Sequence, residues 1–371
     1  MNAEHVYVHV PFCARRCAYC DFSIAVRATV PVDEFVASIG REWDLRHRES
    51  SFELATLYFG GGTPSKLGAE GVARLMDVAG RRAAFRPDVE VTLEANPEDV
   101  SIDAARSWLR AGINRVSLGV QSFDNAVLSW MHRTHDAATA LRAVDVLREA
   151  GFDNISFDLI FAAPSQVPRA WERDLETAIR LAVPHVSVYG LTVEPQTPLG
   201  RWVARRQVEE APEDRFEQEY SLAHEMLTRA GLEHYEVSNY GIAGRHSKHN
   251  WAYWLRHPYG GLGPSAHEFD GSIRRWNSAP YADWDARLRH GESPTVGSER
   301  LTPEQVLAEE VYLGLRTAAG VSVSSDERAH VAPWIAAGWA TLDSVDRFRL
   351  TAAGWLRLDA LAADLTLLRS R

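Results

Sequence analysis

Hydrophobic and polar positions follow two different periods along the chain. Short runs rich in β-branched and aromatic residues predict six strands, at residues 6–10, 54–59, 89–93, 115–119, 155–160 and 186–189. The longer segments between them carry apolar residues three or four positions apart, which is typical of amphipathic helices; examples are Phe35, Ile39 and Trp43, or Leu141, Val144, Val146 and Leu147. Six successive βα units predict an α/β fold with a parallel sheet. We expect an open, partial (β/α)6 TIM-like barrel, because six units are too few to close the usual eight-stranded ring.

The pattern changes after the sixth unit. Residues 214–232 predict a further helix and residues 233–237 a further strand, followed by a glycine- and proline-rich stretch at 259–264. Thr302 and Pro303 are typical of a helix start, and two short strands within 340–351 precede a last helix from Ala352. We therefore predict a barrel domain over 1–235, a connecting segment over 236–299, and a small winged-helix-like domain over 300–371. A chain of 371 residues with 46% hydrophobic residues is long enough for this division.

Polar or glycine-rich motifs follow most of the predicted strands. They include a cysteine-rich loop, the run Gly60–Pro64, the run Glu94–Pro97, Gln121 and Asp158. In α/β barrels the carboxyl ends of the strands form the ligand site, so these motifs are expected to meet there. Within the first strand Tyr7 and His9 lie on the face opposite the three valines, and Tyr7 is therefore expected to point toward the site.

Cys13, Cys17 and Cys20 are the only cysteines in the chain, and they lie within eight residues directly after the first strand. Clustered thiolates select an iron-sulfur cluster or zinc. Three thiolates on a four-iron cluster would leave one iron open to a small molecule. The alternative is a zinc site with His5 or His9 as the fourth ligand, although structural zinc favours paired spacings that are missing here. An odd cysteine count in a long chain argues against a disulfide framework and favours a reducing compartment.

Charge and hydropathy narrow the classes of partner. The formal net charge is −10 and the sequence pI is about 5.8. This balance disfavours a nucleic-acid groove as the main binding surface. No apolar run approaches the ~18 residues that span a bilayer, so any membrane contact is expected to be peripheral.

The CxxxCxxC spacing resembles the radical S-adenosylmethionine (SAM) signature. Further segments resemble the oxygen-independent coproporphyrinogen III oxidase family over nearly the whole chain, and they are Tyr7–Cys13, Phe59–Ser65, Gly119–Phe123, Phe157–Ile160 and Glu309–Arg316. The resemblance implies a 4Fe-4S cluster on the three cysteines, with SAM on its open iron. Carried over position by position, it implies SAM contacts at Tyr7, Tyr19, Gly61, Gly62, Thr63, Glu94, Gln121, Arg133 and Asp158.

Two departures resemble the heme-chaperone branch of that family. Phe22 stands where the oxidases have a fourth cysteine, and only twelve residues precede Cys13. The segment 249–254 matches the HNxxYW motif of the heme-chaperone branch, which implies heme contacts at His249, Asn250, Tyr253 and Trp254. Imidazole is a common axial ligand of heme iron, and aromatic rings offer flat apolar surface. His246 and His267 lie nearby and stay open as alternative ligands.

Three functions stay open at this point. A heme chaperone would bind heme and pass it to respiratory proteins, an oxidase would convert two propionates of coproporphyrinogen III to vinyl groups, and another radical SAM enzyme, such as a methyltransferase, would cleave SAM for a different substrate. The first is favoured by Phe22 and the HNxxYW segment. It implies heme-acceptor proteins and an electron donor as partners, and a cytoplasmic location with peripheral contact at the inner face of the membrane.

Overall fold

The computed structural model describes residues 3–46, 53–167 and 169–370. In chain order, the elements of the barrel half are β1 (His5–Val10), β2 (Phe12–Cys13), β3 (Ala25–Val26), α1 (Val32–Arg46), β4 (Glu53–Gly61), α2 (Gly68–Gly80), β5 (Ala84–Ala95), α3 (Ile102–Ala111), β6 (Arg115–Gln121), α4 (Asn125–Trp130), α5 (Ala137–Ala150), β7 (Ile155–Phe161), α6 (Trp171–Leu181), β8 (His185–Gly190), α7 (Pro198–Ala204), α8 (Glu213–Arg229), β9 (Glu233–Glu236) and β10 (Asn239–Gly241).

The remaining elements are α9 (Lys248–Trp254), β11 (Tyr259–Leu262), β12 (His267–Phe269), β13 (Ile273–Asn277), α10 (Tyr281–Arg289), β14 (Thr295–Arg300), α11 (Pro303–Leu315), β15 (Val321–Ser322), α12 (Ser325–Ala336), β16 (Ala340–Leu342), β17 (Arg347–Leu350), α13 (Ala352–Trp355) and α14 (Leu358–Arg369). Helix α11 begins where the sequence predicted a helix start. Thr302, for example, forms a capping box with Gln305 at the start of α11.

The six predicted strands are neighbours in one sheet, in the order β1-β4-β5-β6-β7-β8, and every pair among them is parallel. This confirms the partial (β/α)6 barrel. The helices pack on the outside as the apolar spacing predicted, and Phe35, Ile39 and Trp43 of α1 are each at most 1% exposed. The valines of β1 are equally buried on that side, which turns Tyr7 and His9 toward the barrel interior.

The sheet continues beyond the six strands on both sides. β11 pairs in parallel with β1, and β12, β13 and β14 follow as an antiparallel extension. On the other side β10 and β9 pair antiparallel next to β8. The segment predicted as a connector over 236–299 therefore contributes strands to the main sheet. The domain boundaries themselves stay predictions.

The last part of the chain is a small three-stranded sheet with helices. Its strand order is β15-β17-β16, and the predicted strand pair over 340–351 is present as β16 and β17. Helices α11 and α14 pack together beside this sheet, as expected for a winged-helix-like arrangement. Trp355 and Leu365 lie in the same continuous apolar core as the barrel, so this module packs against the rest of the chain.

Candidate cofactor site

A cavity of about 440 Å³ opens at the carboxyl end of the parallel strands. It brings together the residues that the sequence motifs singled out, since it is lined by Cys13, Cys17, Cys20, Tyr19, Gly61, Gly62, Thr63, Glu94, Gln121, Arg133 and Asp158. These positions are far apart in the chain. They converge because most of them lie in or just after the carboxyl-terminal half of a strand of the same parallel sheet, whereas Arg133 follows α4.

The three thiols lie on a loop that is fixed at several points. The amide of Ala18 donates to the carbonyl of Met131 (3.1 Å), and the carbonyl of Ala18 accepts from the amide of Leu199 in α7 (2.9 Å). The buried guanidinium of Arg133 donates to Cys17 Sγ (3.3 Å), and the Cys13 thiol contacts Thr63 Oγ1 at 3.5 Å. Arg133 thereby supplies a positive charge beside a thiol that would have to bind metal as a thiolate.

Gly62 has a steric reason to be glycine. A Cβ there would lie 2.7 Å from the Pro11 carbonyl and 3.0 Å from Cys13 Sγ. Burial raises the pKa of the Cys13 thiol and raises that of Cys20 to about 11, and bound iron would offset this cost by stabilising the thiolates. Three sulfur ligands and a cleared space beside them fit an iron-sulfur cluster.

The zinc alternative fits less well, because both candidate histidines are engaged elsewhere. His9 Nε2 bonds to the carbonyl of Ser23 (3.0 Å) and its Nδ1 to the Tyr7 hydroxyl (3.1 Å). His5 begins β1 at the opposite end of the barrel and bonds to Thr56 Oγ1 (3.0 Å).

Two carboxyl groups face the cavity beyond the thiols. Glu94 accepts from the Tyr58 hydroxyl (2.8 Å) and from the amide of Gly61 (3.1 Å), and Asp158 accepts from Ser117 Oγ (3.2 Å). Burial, and then the charge of Asp158, raises the pKa of Glu94 to about 7; burial also raises the pKa of Asp158. Such acceptors suit the hydroxyls and amine of a polar ligand.

Gln121 and Arg133 complete the wall. Gln121 is 8% exposed and has φ 69°, a left-handed conformation that is costly for a residue with a Cβ and that aims its side chain into the cavity. Arg133 also donates to Asn96 Oδ1 (2.6 Å) and to the Gly119 carbonyl (2.8 Å). Asn96 also lines the wall. It belongs to the run Glu94–Pro97 that the motif reasoning selected, but it was not among the predicted SAM contacts.

Tyr7 does not line the cavity but lies beneath it. Its ring stacks on Tyr58 with 6.0 Å between ring centroids, and its hydroxyl bonds to His9. It therefore supports the floor of the cavity in this structure. Its direct contact with SAM stays a prediction, as do the contacts of the residues that line the wall.

The HNxxYW residues lie elsewhere, at the amino end of the strands. The start of α9 is held by Glu90 of β5, whose carboxylate accepts from the amides of Lys248 and His249 (3.1 Å each). His249 is 1% exposed, its Nδ1 bonds to Thr56 Oγ1 (2.6 Å), and its Nε2 bonds to the Tyr253 hydroxyl (2.8 Å). Heme ligation by His249 stays a prediction, and it would require one of these hydrogen bonds to break.

The other residues predicted to contact heme differ in how far their side chains are exposed to solvent. Asn250 and Trp254 are partly exposed, and the guanidinium of Arg316 lies over the Trp254 ring at 4.2 Å. His246 is stacked on Tyr235 (4.0 Å) and paired with Glu233 (3.1 Å). His267 is exposed beside Trp276, with 6.0 Å between ring centroids.

The chain forms a partial parallel barrel. Its carboxyl end carries three thiols, two carboxyl groups and a wall in which Gly62 leaves space beside Cys13. These features define the class of protein as radical SAM. The family model described as "Radical SAM superfamily" matches residues 7–178. "Heme chaperone HemW" of Bacillus subtilis (strain 168) is 35% identical over 86% of this chain and 85% of its own length. The protein of the same name from Mycobacterium tuberculosis (strain ATCC 25618 / H37Rv) is 34% identical over 97% of this chain and 94% of its own.

The fold has a solved counterpart. The structure of "Coproporphyrinogen III oxidase (HemN) from Escherichia coli" superimposes with a TM-score of 0.82 at 20% identity, covering 98% of this chain and 89% of that one. That likeness concerns the fold alone. The sequence matches identify the family, and the chain belongs to the HemW family of radical SAM proteins.

Proposed function

We propose that this protein is a heme chaperone that holds a 4Fe-4S cluster and SAM and delivers heme to respiratory-chain proteins. The relatives that share about a third of its residues over most of its length carry that name. One feature of the site supports the same choice over the oxidase. Phe22, two positions after Cys20, lines the cavity with a 59% exposed ring where a fourth cysteine would mark the oxidase branch.

In this proposal Cys13, Cys17 and Cys20 hold the cluster and the cavity wall holds SAM. The bound cluster supplies one-electron chemistry and an open iron. The chain's own groups bind and orient the ligand: Glu94 and Asp158 accept hydrogen bonds from it, and Arg133 compensates thiolate charge. Electrons come from a separate donor protein.

Heme is assigned to the HNxxYW region. Asn250 and Trp254 form the accessible side of α9, and His249 is the proposed iron ligand once it is released from Thr56 or Tyr253. The acceptors are respiratory proteins, and the site of action is the cytoplasm, at the inner face of the membrane. Among the described residues, no helix is long and apolar enough to cross a bilayer.

The first experiment separates chaperone from oxidase. Protein reconstituted anaerobically with iron and sulfide is reduced and incubated with coproporphyrinogen III and SAM. The proposal expects no protoporphyrinogen, whereas heme added to the same preparation should bind and then pass to an apo-respiratory acceptor. Appreciable conversion of coproporphyrinogen III would overturn the chaperone assignment.

The second experiment tests the iron ligand. Heme spectra are compared for His249→Ala, His246→Ala and His267→Ala, with cluster content measured in each. The assignment expects a shifted or weakened heme spectrum only in the His249 variant. An unchanged spectrum there, with a shift in the His267 variant, would move the ligand to the exposed imidazole.

A further inference from the structure

The inner face of helix α9 closes the barrel from below. His249 and Tyr253 are four positions apart and share that face, where they bond to each other. The other ring nitrogen of His249 bonds to Thr56 Oγ1, which also bonds to His5. Burial lowers the pKa of His249 to about 3, so the ring is neutral and uses one nitrogen as donor and the other as acceptor. The network leaves no ring nitrogen of His249 unused.

This network reaches the cofactor cavity through the side chain of Tyr58. The His249 ring stacks on Tyr58, with centroids 5.1 Å apart and planes at 29°. The hydroxyl of Tyr58 donates to Glu94 Oε1 at 2.8 Å, and Glu94 lines the cavity. His249 is therefore separated from a cavity carboxyl group by one tyrosine.

The packing around Tyr58 has little spare room. A Cβ at Gly60 would lie 2.8 Å from the Tyr58 ring, 2.9 Å from the Tyr7 ring and 3.0 Å from Glu94 Oε1. Helix α9 is also held at both ends, by Glu90 at its start and by Arg316 over Trp254 at its end. In a tightly packed interior, a small displacement of one side chain moves its neighbours, because no empty space is left between them. A shift of His249 should therefore move the Tyr58 ring.

We propose that, in the heme-free protein, His249 and Tyr253 are positioning residues of the SAM pocket. They hold the Tyr58 ring in the place from which its hydroxyl orients the Glu94 carboxyl group. This inference rests on the proposed function, because it takes Glu94 to be a SAM contact. It gives the HNxxYW segment a role in cofactor binding in addition to its proposed role toward heme.

The test is the affinity for SAM, measured by equilibrium dialysis on anaerobically reconstituted protein. Tyr58→Phe removes only the hydrogen bond to Glu94, and a bond to a charged group contributes enough that about a tenfold loss of affinity is expected. His249→Ala should give a loss of similar size. Lys248→Ala is the matched control, because its exposed side chain on the same helix pairs with Asp88, away from the cavity, and its removal should leave affinity unchanged.

The double variant His249→Ala/Tyr58→Phe distinguishes positioning from general damage. If His249 acts through Tyr58, the double variant should bind SAM about as weakly as the worse single variant. Two losses that multiply would show that His249 does not act through Tyr58 and would overturn the inference. Iron content is measured in every variant, so that a lost cluster is not taken for a displaced carboxyl group.

The other possible results distinguish a failure of this inference from a failure of the proposed function. If His249→Ala does not fold, Tyr253→Phe removes one hydroxyl from the same network, and about a threefold loss of SAM affinity is expected; an unchanged affinity would overturn the inference. If Tyr58→Phe weakens SAM binding and both α9 variants do not, the inference fails while the proposed function stands. If the wild-type protein does not bind SAM, the cofactor assignment and the inference fail together.

Discussion

The carboxylate of Glu42 is fully buried and accepts four hydrogen bonds, so its removal should destabilise the protein strongly. Its donors are the amide of Gly263 (2.8 Å), the amide group of Asn277 (2.7 Å), the indole of Trp284 (2.8 Å) and the guanidinium of Arg46 (2.9 Å). These donors come from α1, from the β11–β14 extension and from α10. Glu42 therefore joins the barrel to the part of the sheet that sequence periodicity did not predict.

The size of the effect follows from what Glu42→Ala leaves behind. Each buried donor that is left without an acceptor lowers the free energy of unfolding by roughly 1–3 kcal/mol. Breaking a buried ion pair lowers it by roughly 3–5 kcal/mol. Arg46 keeps Glu268 as a second partner, and Asn277 keeps the Gly263 carbonyl (2.7 Å). We therefore expect a loss of about 4 kcal/mol in the free energy of unfolding, a large share of the usual 5–15 kcal/mol.

Urea unfolding followed by tryptophan fluorescence measures this loss, and Trp284 itself reports the environment of the carboxylate. Glu42→Gln keeps the shape and one acceptor oxygen, so its loss should be intermediate. Asp33→Ala is the matched control on the same helix, since the 88% exposed Asp33 side chain pairs with Arg74 at the surface and its removal should change stability by no more than about 0.5 kcal/mol. A loss below about 1 kcal/mol for Glu42→Ala would refute the reasoning.

Three shorter predictions concern the cofactor site. Replacing Cys13, Cys17 or Cys20 singly by serine should abolish stable iron loading, measured as iron per chain after anaerobic reconstitution; stoichiometric zinc without a brown chromophore in the wild type would contradict the cluster. SAM should change the EPR spectrum of the reduced protein, because it would occupy the open iron, and an unchanged spectrum would count against that site. SAM affinity should rise with pH and level off above about 7. The raised pKa of Glu94 leaves this carboxyl group protonated at lower pH, whereas a cationic ligand favours its ionised form. Glu94→Gln should flatten the dependence of SAM affinity on pH.

The raised pKa of Glu94 also makes the stability of the folded protein depend on pH. The folded protein without SAM holds a proton on Glu94 up to pH about 7, whereas the unfolded chain releases it near 4.5. The contribution of Glu94 to folding is therefore fully present below pH about 4.5 and is lost as the pH rises toward 7. SAM bound as proposed would offset this loss, because a cationic ligand favours the ionised carboxylate.

Local periodicity predicted the barrel because each βα unit is specified by residues close together in the chain. The valine alternation of β1 and the apolar face of α1 each identify an element and its buried side. The convergence of the cysteines with Glu94 and Asp158 was predictable for the same reason, since parallel strands bring their carboxyl ends to one edge. Within the run Glu94–Pro97, Asn96 was not assigned a contact, because an amide after a strand has many ordinary structural uses.

The sheet extension was not predictable from periodicity. β11 has only four residues, two of them glycines, and it pairs with β1 from the opposite end of the barrel sequence. Gly263, directly after β11, is required at this contact, because a Cβ there would lie 2.4 Å from the carbonyl oxygen of His9 in β1. Such a requirement becomes visible only once the distant strand is in place, and the buried carboxylate of Glu42 is explained by the same packing.

The two proposals for the HNxxYW segment assign His249 to two sites. In the described structure the ring nitrogens of His249 serve Thr56 and Tyr253, and through Tyr58 the ring supports Glu94. Heme iron ligated by His249 would take one of those nitrogens, so the support of the SAM pocket would weaken as heme binds. Coupling between two ligands is reciprocal, so SAM would weaken heme binding by the same factor. Ligation by the exposed His267 would leave the network intact and give no such coupling. The effect of SAM on heme affinity in the wild-type protein therefore tests whether the iron uses His249.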